Sequence, residues 1–486
     1  MNVEHLIADN PVLVRYVRSR LRPQHLMAAI IAVGIVAACI VWWADATNTL
    51  KDGDGFIGLL VLQGGLLFIV GTSEVGSGVA NAKDSGMLDF HRISPQSPLS
   101  IAVGFILGAP IREWALFACT LPFSIYAGLA SKPALLAALP VMVLAAFLYH
   151  SLAALMGAAS IKPRGVGAAI ILLVIFLHIS STAPGIGQFT IIPTVAQALD
   201  PGAHLPFNHT FFAVAAPYPL LALLHQLPLL LFVLIALVRK MRLDRAMLYS
   251  KPEAVAFHAT IALLLLGNVA DVRDPSWPGL AMTVALYGLV GSALILSLFV
   301  TPNTGQLAGG LRRARKLGLP SVPLWSDFAT NWGPLGAFCA VTLVAGLLTG
   351  TRAALDGIPI VLILLATISA LATIAQFGSA RPYAELQFRK AGQVYLGLFM
   401  LVVWILPIPA GYILREAGFS DATCLPVFAI SPLSGVALAA TNHPQAAHFV
   451  ALGVGLVLSL ALAAAFSALR VQAEAEAARR ARQAKS

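Results

Sequence analysis

A short charged segment separates two long apolar stretches near the start of the chain. It runs from Lys83 to Ser100 and reads KDSGMLDFHRISPQSPLS, while the flanking stretches carry almost no charge. Hydrocarbon excludes such a segment, because a charged side chain is costly at the centre of a bilayer. Met87, Leu88 and Phe90 alternate with aspartates, and exposed apolar side chains are unfavourable in an ordinary loop. The pattern favours a docking surface for a partner, with a plain charged loop as the alternative.

Three charges lie in the apolar stretches on either side of this segment, Glu74 before it and Arg112 and Glu113 after it. On helices that rise ~1.5 Å per residue, Glu74 would lie ~15 Å from the segment, and Arg112 and Glu113 would lie ~21 Å from it. The two stretches would form a hairpin, so these groups would meet at similar depth. We predict a Glu74–Arg112 ion pair with Glu113 as a second acid. The pair either locks the hairpin or lines a substrate path.

The usual motifs of catalysis and nucleotide binding are absent from the sequence. It contains no GxxxxGK[ST], HExxH or GxSxG pattern. The four cysteines are far apart and form no CxxC pair, which favours neither a disulfide framework nor a zinc site. Three histidines stand alone in or near apolar stretches and are interpreted as hydrogen-bonded packing residues: His150, His178 and His258. We therefore predict no catalytic residue, cofactor or metal on this chain.

Composition defines the class of protein that must position these residues. The chain has 486 residues, of which 58% are hydrophobic and only 11% charged, against about 25% charged in soluble domains. Apolar runs of about 20 residues match the thickness of a bilayer core. We predict an all-α, polytopic membrane protein with twelve spans at about 25–46, 55–81, 99–128, 133–159, 166–187, 217–239, 254–271, 278–301, 332–350, 356–379, 392–414 and 446–469.

The distribution of basic residues predicts the orientation of these spans. With the N-terminus in the cytoplasm, 25 of the 31 lysines and arginines fall in inner loops and tails, five fall outside, and Arg112 lies within a span. Such a bias agrees with the positive-inside rule and argues against nucleic-acid binding as the origin of the net charge of +10. The expected location is a bacterial inner membrane, with both termini cytoplasmic.

The chain divides into an amphipathic segment (1–24), two six-span halves (25–245 and 246–470) and a charged tail (471–486). In the amphipathic segment 1–24, Asn10 is expected to cap a helix that begins at Pro11 and lies in the membrane interface. Its polar face carries Arg15, Arg18 and Arg22. Two apolar segments are predicted on the outer side: 188–216, which leads to Pro217, and 415–445, which contains Pro432. They predict short re-entrant helices before spans six and twelve. Their recurrence favours two parallel halves.

The order of these parts resembles the permease of ABC-2 type (type V) ABC exporters. That family has an interfacial elbow helix, which Asn10-Pro11-Val12-Leu13 and the following arginines resemble. Between spans two and three it has a charged pair, a Gly-Thr-Leu-Asp/Glu motif and Thr/Ser-Pro. Here the chain reads Lys83-Asp84-Ser85-Gly86-Met87-Leu88-Asp89 and Ser94-Pro95, with Met87 in place of the usual Thr. The resemblance covers most of residues 10–240 and is fainter over 250–470.

The resemblance implies that the 83–98 segment is a coupling helix on which a separate cytoplasmic ABC ATPase docks, as a dimer that carries ATP and Mg²⁺. The chain would then be a transport subunit and not an enzyme, exporting an unidentified substrate. The implied ATPase-coupling residues are Lys83, Asp84, Gly86, Met87, Leu88, Asp89, Phe90, Arg92, Ser94 and Pro95. The counterpart near 301–328 is basic, so the two halves are expected to bind their ATPases unequally.

Two other functions stay open from sequence. A twelve-span secondary transporter would need acidic or histidine relays deep in several spans, whereas here deep charges concentrate in one hairpin. A membrane enzyme acting on lipid-linked sugars would need carboxylates or histidines clustered on outer loops. Asp200, His204 and His209 are a small cluster of that kind.

Overall fold

The computed structural model describes residues 10–160, 166–179, 187–200, 210–269 apart from 213 and 245, most of 285–329, 332–349 and 406–431, with a few isolated positions elsewhere. The chain forms two compact units, one comprising 1–209 and 214–248 and the other 210–213 and 249–486. The described residues are mostly helical, as predicted. The predicted spans 356–379 and 446–469, most of 392–414 and nearly all of the tail 471–486 lie outside the described residues.

Five described helices are long and apolar enough to cross a bilayer: Pro23–Ala46, Asp54–Asp84, Ile111–Ala130, Pro133–Ala159 and Tyr218–Arg242. All belong to the first unit. Their positions confirm that the chain is a multi-pass helical membrane protein, while the count of twelve spans stays a prediction. Shorter elements complete this unit: Pro11–Arg20, Leu50–Asp52, Met87–Ile93, Pro98–Gly108, Val166–Ile179, Gly187–Phe189 and Ile192–Leu199. Two-residue extended segments follow along the chain, Thr210–Phe211 in the second unit and Val214–Ala215 in the first.

The predicted third span, 99–128, is wrong as a single helix. The structure divides it into Pro98–Gly108 and Ile111–Ala130, joined by a turn at Ala109 and Pro110. Proline has no backbone N–H to donate and its ring obstructs the preceding turn, so an uninterrupted helix is unfavourable at this position. Arg112 and Glu113 consequently lie in the first turn of the second helix and not in the middle of a long one.

The helix before the 83–98 segment contains a π-helical stretch, Gly65–Gly71, between Asp54–Gly64 and Thr72–Asp84. The Leu67 carbonyl accepts hydrogen bonds from the Thr72 hydroxyl at 3.2 Å and from Nε2 of His150 at 2.9 Å. Such bonds satisfy a carbonyl that irregular winding leaves exposed inside a membrane. The interpretation of His150 as a hydrogen-bonded packing residue is therefore confirmed.

The core of the first unit lies where the Thr72–Asp84, Ala138–Ala159 and Tyr218–Arg242 helices pack together. Small residues allow the close approach, since a Cβ at Gly157 would lie 2.6 Å from the Gly76 carbonyl oxygen. Small residues at interfaces are the usual means of helix association in lipid. This packing fixes the end of the helix from which the 83–98 segment emerges.

The second unit has described helices at Lys251–Val269, Thr304–Lys316, Trp332–Thr349, Pro407–Glu416 and Asp421–Ile430. The described residues between 285 and 300 are also helical. His258 is fully buried, with Nδ1 3.0 Å from the Ser292 hydroxyl and Nε2 3.2 Å from the Thr342 hydroxyl. His258, like His150, is thus confirmed as a packing residue, here joining three helices of its unit.

Short helices occur in both predicted outer segments. Ile192–Leu199 lies in the first, where the Lys132 ammonium donates to the Leu199 carbonyl. Asp421–Ile430 lies in the second and contains Pro426. Whether either helix enters the outer leaflet stays a prediction.

Candidate functional site

The 83–98 segment forms a short helix, Met87–Ile93, that begins after a left-handed glycine. Gly86 has φ +76°, which an L-residue adopts only at a cost, and the surrounding space is open. The helix ends at Ser94, which is extended because Pro95 follows it. Ser97 then caps the next helix through its hydroxyl and Pro98 occupies the first turn. Local sequence alone thus isolates one two-turn helix between two longer ones.

Asp244, just after the Tyr218–Arg242 helix, holds this segment from the side. Its carboxylate lies 3.1 Å from Nζ of Lys83 and 3.5 Å from Nη2 of Arg92. Burial alone would raise the pKa of Asp244, but the hydrogen bond and charge of Lys83, with Arg92 and Lys240, lower it below its ordinary value. The carboxylate therefore stays ionised near neutral pH and joins both ends of the segment to the last helix of the unit.

The two basic residues of the segment make further bonds within the protein. Lys83 donates to the carbonyls of Ala158 and Ser160, at 2.8 and 3.0 Å. Arg92 donates to the Lys240 carbonyl at 2.8 Å and pairs with Asp89 at 2.5 Å. Both cations therefore have partners within the protein, and their role in ATPase coupling stays a prediction.

The N-terminal helix, Pro11–Arg20, contacts the same segment. Asn10 caps it as predicted, its carbonyl oxygen accepting from the amides of Val12 and Leu13. The same side chain donates to the Ser100 carbonyl at 2.6 Å, which joins the two segments. Arg15, Arg18 and Arg22 are exposed, and a guanidinium nitrogen of Arg15 reaches the sulfur of Met87. The interfacial position of this helix stays a prediction.

The exposed side of the Met87–Ile93 helix is acidic and apolar. Phe90 is 65% exposed and Ile93 84%, beside the exposed Asp84 and Asp89. Leu88, in contrast, is fully buried, so the prediction that it fills a slot on a partner is wrong. In a seven-residue helix one face must pack against the protein, and Leu88 lies on that face. Ile93 is exposed instead, and sequence reasoning missed it.

His91 also packs inward, beneath the helix. Burial, with a smaller contribution from the positive charge of Arg15, lowers its pKa below the ordinary value. It is therefore neutral at pH 7 and adds no charge to the exposed surface.

The predicted Glu74–Arg112 pair is wrong. Glu74 pairs instead with Arg20 of the N-terminal helix at 2.5 Å, and Arg112 pairs with its neighbour Glu113 at 2.7 Å. The break at Ala109 and Pro110 interrupts the single third span on which the prediction depended. Burial would lower the pKa of Arg20, but the hydrogen bond and charge of Glu74 raise it.

Asp244, Arg20 and Ile93 are the functional candidates that sequence reasoning did not identify. Asp244 had one local signal, because it is the single acid among Arg239, Lys240, Arg242 and Arg245. Within the described residues no group of three or more His, Cys, Asp or Glu could hold a metal ion. Of the outer cluster predicted for a membrane enzyme, His204 and His209 lie outside those residues.

Fold and composition define a multi-pass helical membrane protein. In it a short helix with an acidic and apolar exposed face is held by Asp244, follows the long Asp54–Asp84 helix and precedes the shorter Pro98–Gly108 helix. No family model, curated protein or solved structure matches the chain. Any assignment must therefore rest on the site itself.

Proposed function

We propose that this protein is the membrane-spanning permease of an ABC-2 type exporter, with both six-span halves fused in one chain. A separate cytoplasmic ABC ATPase, acting as a dimer with ATP and Mg²⁺, docks on the Met87–Ile93 helix and drives export of a substrate. The proposal includes twelve spans, an inner-membrane location and cytoplasmic termini. The chain itself performs no catalysis.

The observation that carries this proposal is the exposure of Phe90 and Ile93 on a short helix that directly follows the long Asp54–Asp84 helix. Large apolar side chains at a water-facing site are typical anchors of a protein interface. Asp84 and Asp89 surround them and suit a basic groove on a partner.

The ion pairs of Asp244 with Lys83 and Arg92, here called the clamp, suggest how docking would move the spans. Asp244 joins Lys83 and Arg92 to the last helix of the first unit, while Asn10 and Arg15 join the segment to the N-terminal helix. A force on the short helix would therefore reach several long helices through polar contacts and not through the chain alone.

The test is co-purification of the full chain with an ABC ATPase encoded beside it, together with stimulation of that ATPase. We expect Phe90→Ser with Ile93→Ser to abolish both, because burial of such side chains supplies most of the energy of an interface. Phe419→Ser with Ile413→Ser is the matched control, since these side chains are 52% and 67% exposed but lie at the outer end of the predicted eleventh span, away from any ATPase. Equal loss in both variants, or in neither, would contradict docking at this helix.

Reversal of the aspartates needs one refinement. Asp89→Lys alters the surface and also releases Arg92, whereas Asp84 makes no salt bridge within the described residues. Asp84→Lys is therefore the clean probe of charge. Unchanged ATPase stimulation in Asp84→Lys would leave the apolar contact as the sole basis of docking.

One observation favours the second candidate, an ion-coupled secondary transporter. The Glu113 side chain is 1% exposed, and its Oε2 has no hydrogen-bond partner among the described residues. A buried carboxylate of this kind could carry a proton. Substrate transport that follows a proton gradient, needs no ATP and is lost in Glu113→Gln would favour this function over the exporter.

A further inference from the structure

The second unit carries a basic helix, Thr304–Lys316, that begins just after the apolar helical stretch ending near Thr301. Leu307 and Ala314 are buried, with Leu311 packed against Leu307. The last turns present four exposed cations, Arg312, Arg313, Arg315 and Lys316. The helix is thus amphipathic, with an anchored apolar side and a cationic outer side.

Most of these cations have no acidic partner among the described residues. Arg312, Arg315 and Lys316 make no salt bridge within the part of the chain that the structure describes, and Arg313 lies over the Phe328 ring at 4.8 Å. Four like charges this close repel each other. A bound anion would offset the repulsion.

Exposed apolar side chains border the cationic surface. Leu317 is 73% exposed, Leu324 57% and Trp325 49%. A face that is only solvated would not need these residues. Cations beside leucine and tryptophan are the composition of a surface that lies at a membrane interface.

A buried lysine holds this apolar border in place. Lys251 is fully buried, and its Nζ donates to the carbonyls of Leu324 and Ala329 at 3.0 and 2.9 Å. Gly310 allows the basic helix to pack closely on the same loop, since a Cβ there would lie 2.5 Å from Cβ of Phe328. Leu324 and Trp325 are therefore presented by a built surface.

We propose that the basic helix and the adjoining Leu317, Leu324 and Trp325 bind the anionic headgroups of membrane phospholipids. The cations would bind phosphate-bearing headgroups, while the apolar residues would enter the acyl boundary. The surface would bind lipid whether or not the chain is an exporter permease, so the inference goes beyond the proposed function.

Position favours lipid over an acidic protein partner. The helix lies between the predicted spans 278–301 and 332–350, the second of which contains the Trp332–Thr349 helix, so in that topology it lies close to a membrane surface. Clusters of four to eight lysines and arginines next to a span recognise anionic leaflets. The exposed apolar residues need no partner other than the bilayer.

The test compares wild type with Arg312→Gln, Arg315→Gln and Lys316→Gln combined, Arg313 being left because it packs on Phe328. Each full-length protein is reconstituted in phosphatidylcholine vesicles containing spin-labelled phosphatidylglycerol or spin-labelled phosphatidylcholine. We expect the triple variant to lower the relative association of phosphatidylglycerol by about threefold or more. High salt should reduce the wild-type preference in the same direction, because the surface charges become screened.

The charge-preserving variant, Arg312→Lys with Arg315→Lys, should keep the preference. Inorganic phosphate should not compete beyond a chloride control of equal ionic strength. An equal lipid preference in wild type and the glutamine variant overturns the proposal, as does specific competition by phosphate. A glutamine variant that keeps its lipid preference but no longer stimulates the ATPase would identify a protein contact and likewise overturn it. Because the substituted side chains are exposed, the thermal midpoint should not change, which separates this result from misfolding.

Discussion

The 83–98 segment of the first unit and the basic helix of the second both follow apolar helices, yet they expose opposite charge. In the first, Lys83 and Arg92 turn inward onto Asp244 and backbone carbonyls, which leaves acidic and apolar groups exposed. In the second, the cations project outward and a buried Lys251 holds the loop. Residues 83–98 contain both signs of charge, so composition did not determine which sign faces outward. The position of Asp244, which pairs with Lys83 and Arg92, determined it.

The largest effect should come from the buried anchors of the two helices. Leu88→Ala and Leu307→Ala each remove a side chain that is at most 2% exposed. We expect each to lower stability by about 2–5 kcal/mol, from lost burial and the cavity left behind. Thermal midpoints in detergent measure this, with the exposed Ile93→Ala and Leu317→Ala as matched controls that change stability by about 0.5 kcal/mol or less. Equal shifts in anchors and controls would contradict the assigned faces.

Lys251 should show the next largest effect, confined to the second unit. Lys251→Met keeps most of the apolar stem and removes the buried charge, but it also removes the donor to the Leu324 and Ala329 carbonyls. The loss of a partner for these carbonyls, about 1–3 kcal/mol, should loosen the loop that they hold. Hydrogen exchange should rise in the 324–329 loop and stay unchanged in Met87–Ile93. Increased exchange in both places would mean that the two loops are not independent.

The same lysine predicts a dependence on pH. Burial lowers the pKa of Lys251 to about 8, partly offset by the charge of Asp327. Since this pKa is below the unfolded value of about 10.4, the penalty for burying the charge is complete below pH 8 and is relieved as the pH rises toward that value. The thermal midpoint of wild type should therefore rise relative to Lys251→Met over this interval. If the thermal midpoints of wild type and Lys251→Met change with pH in the same way, Lys251 is not the source of the pH dependence.

Two glycines offer a matched pair of smaller effects. Gly86 precedes the first helix at φ +76°, and Gly318 follows the basic helix at φ +69°, with no atom near enough in either case to clash with a Cβ. Gly86→Ala and Gly318→Ala should each cost about 1–2 kcal/mol, for conformation alone. Only Gly86→Ala should weaken ATPase stimulation, and only Gly318→Ala should weaken the lipid preference. Crossed effects would contradict the division of roles.

Local chemistry was predictable from sequence where a few neighbouring residues determine it. Asn10 and Pro11 define the start of a helix through a cap and a fixed φ, and the structure contains that helix. The long apolar helices of the first unit follow from hydropathy in the same way. Pro110 carried an equally local signal against a continuous third span, which the apolar run around it obscured.

Pairings between distant segments were not predictable. Depth along two assumed helices suggested Arg112 as the partner of Glu74, but Arg20 of the N-terminal helix takes that place. Asp244 is far from Lys83 in sequence, and no spacing rule joins them. Such contacts depend on how helices pack, and a single sequence does not specify the packing geometry.

Asp244→Asn should produce the smallest change in stability but a clear change in coupling. Its carboxylate is 44% exposed, and pairs of this kind contribute about 0.2–1 kcal/mol. The carbonyl bonds of Lys83 and Arg92 would keep the segment folded, whereas its link to the last helix of the first unit would weaken. We therefore expect ATPase binding to persist while stimulated transport falls.

The same carboxylate gives the ion pairs a dependence on pH. Because the pKa of Asp244 is lowered, its pairs with Lys83 and Arg92 should be fully formed above the ordinary pKa of an aspartate and be lost as the pH falls through the lowered pKa. Loss of ATPase binding in Asp244→Asn, with transport per bound ATPase unchanged, would show that Asp244 shapes the docking surface and transmits nothing.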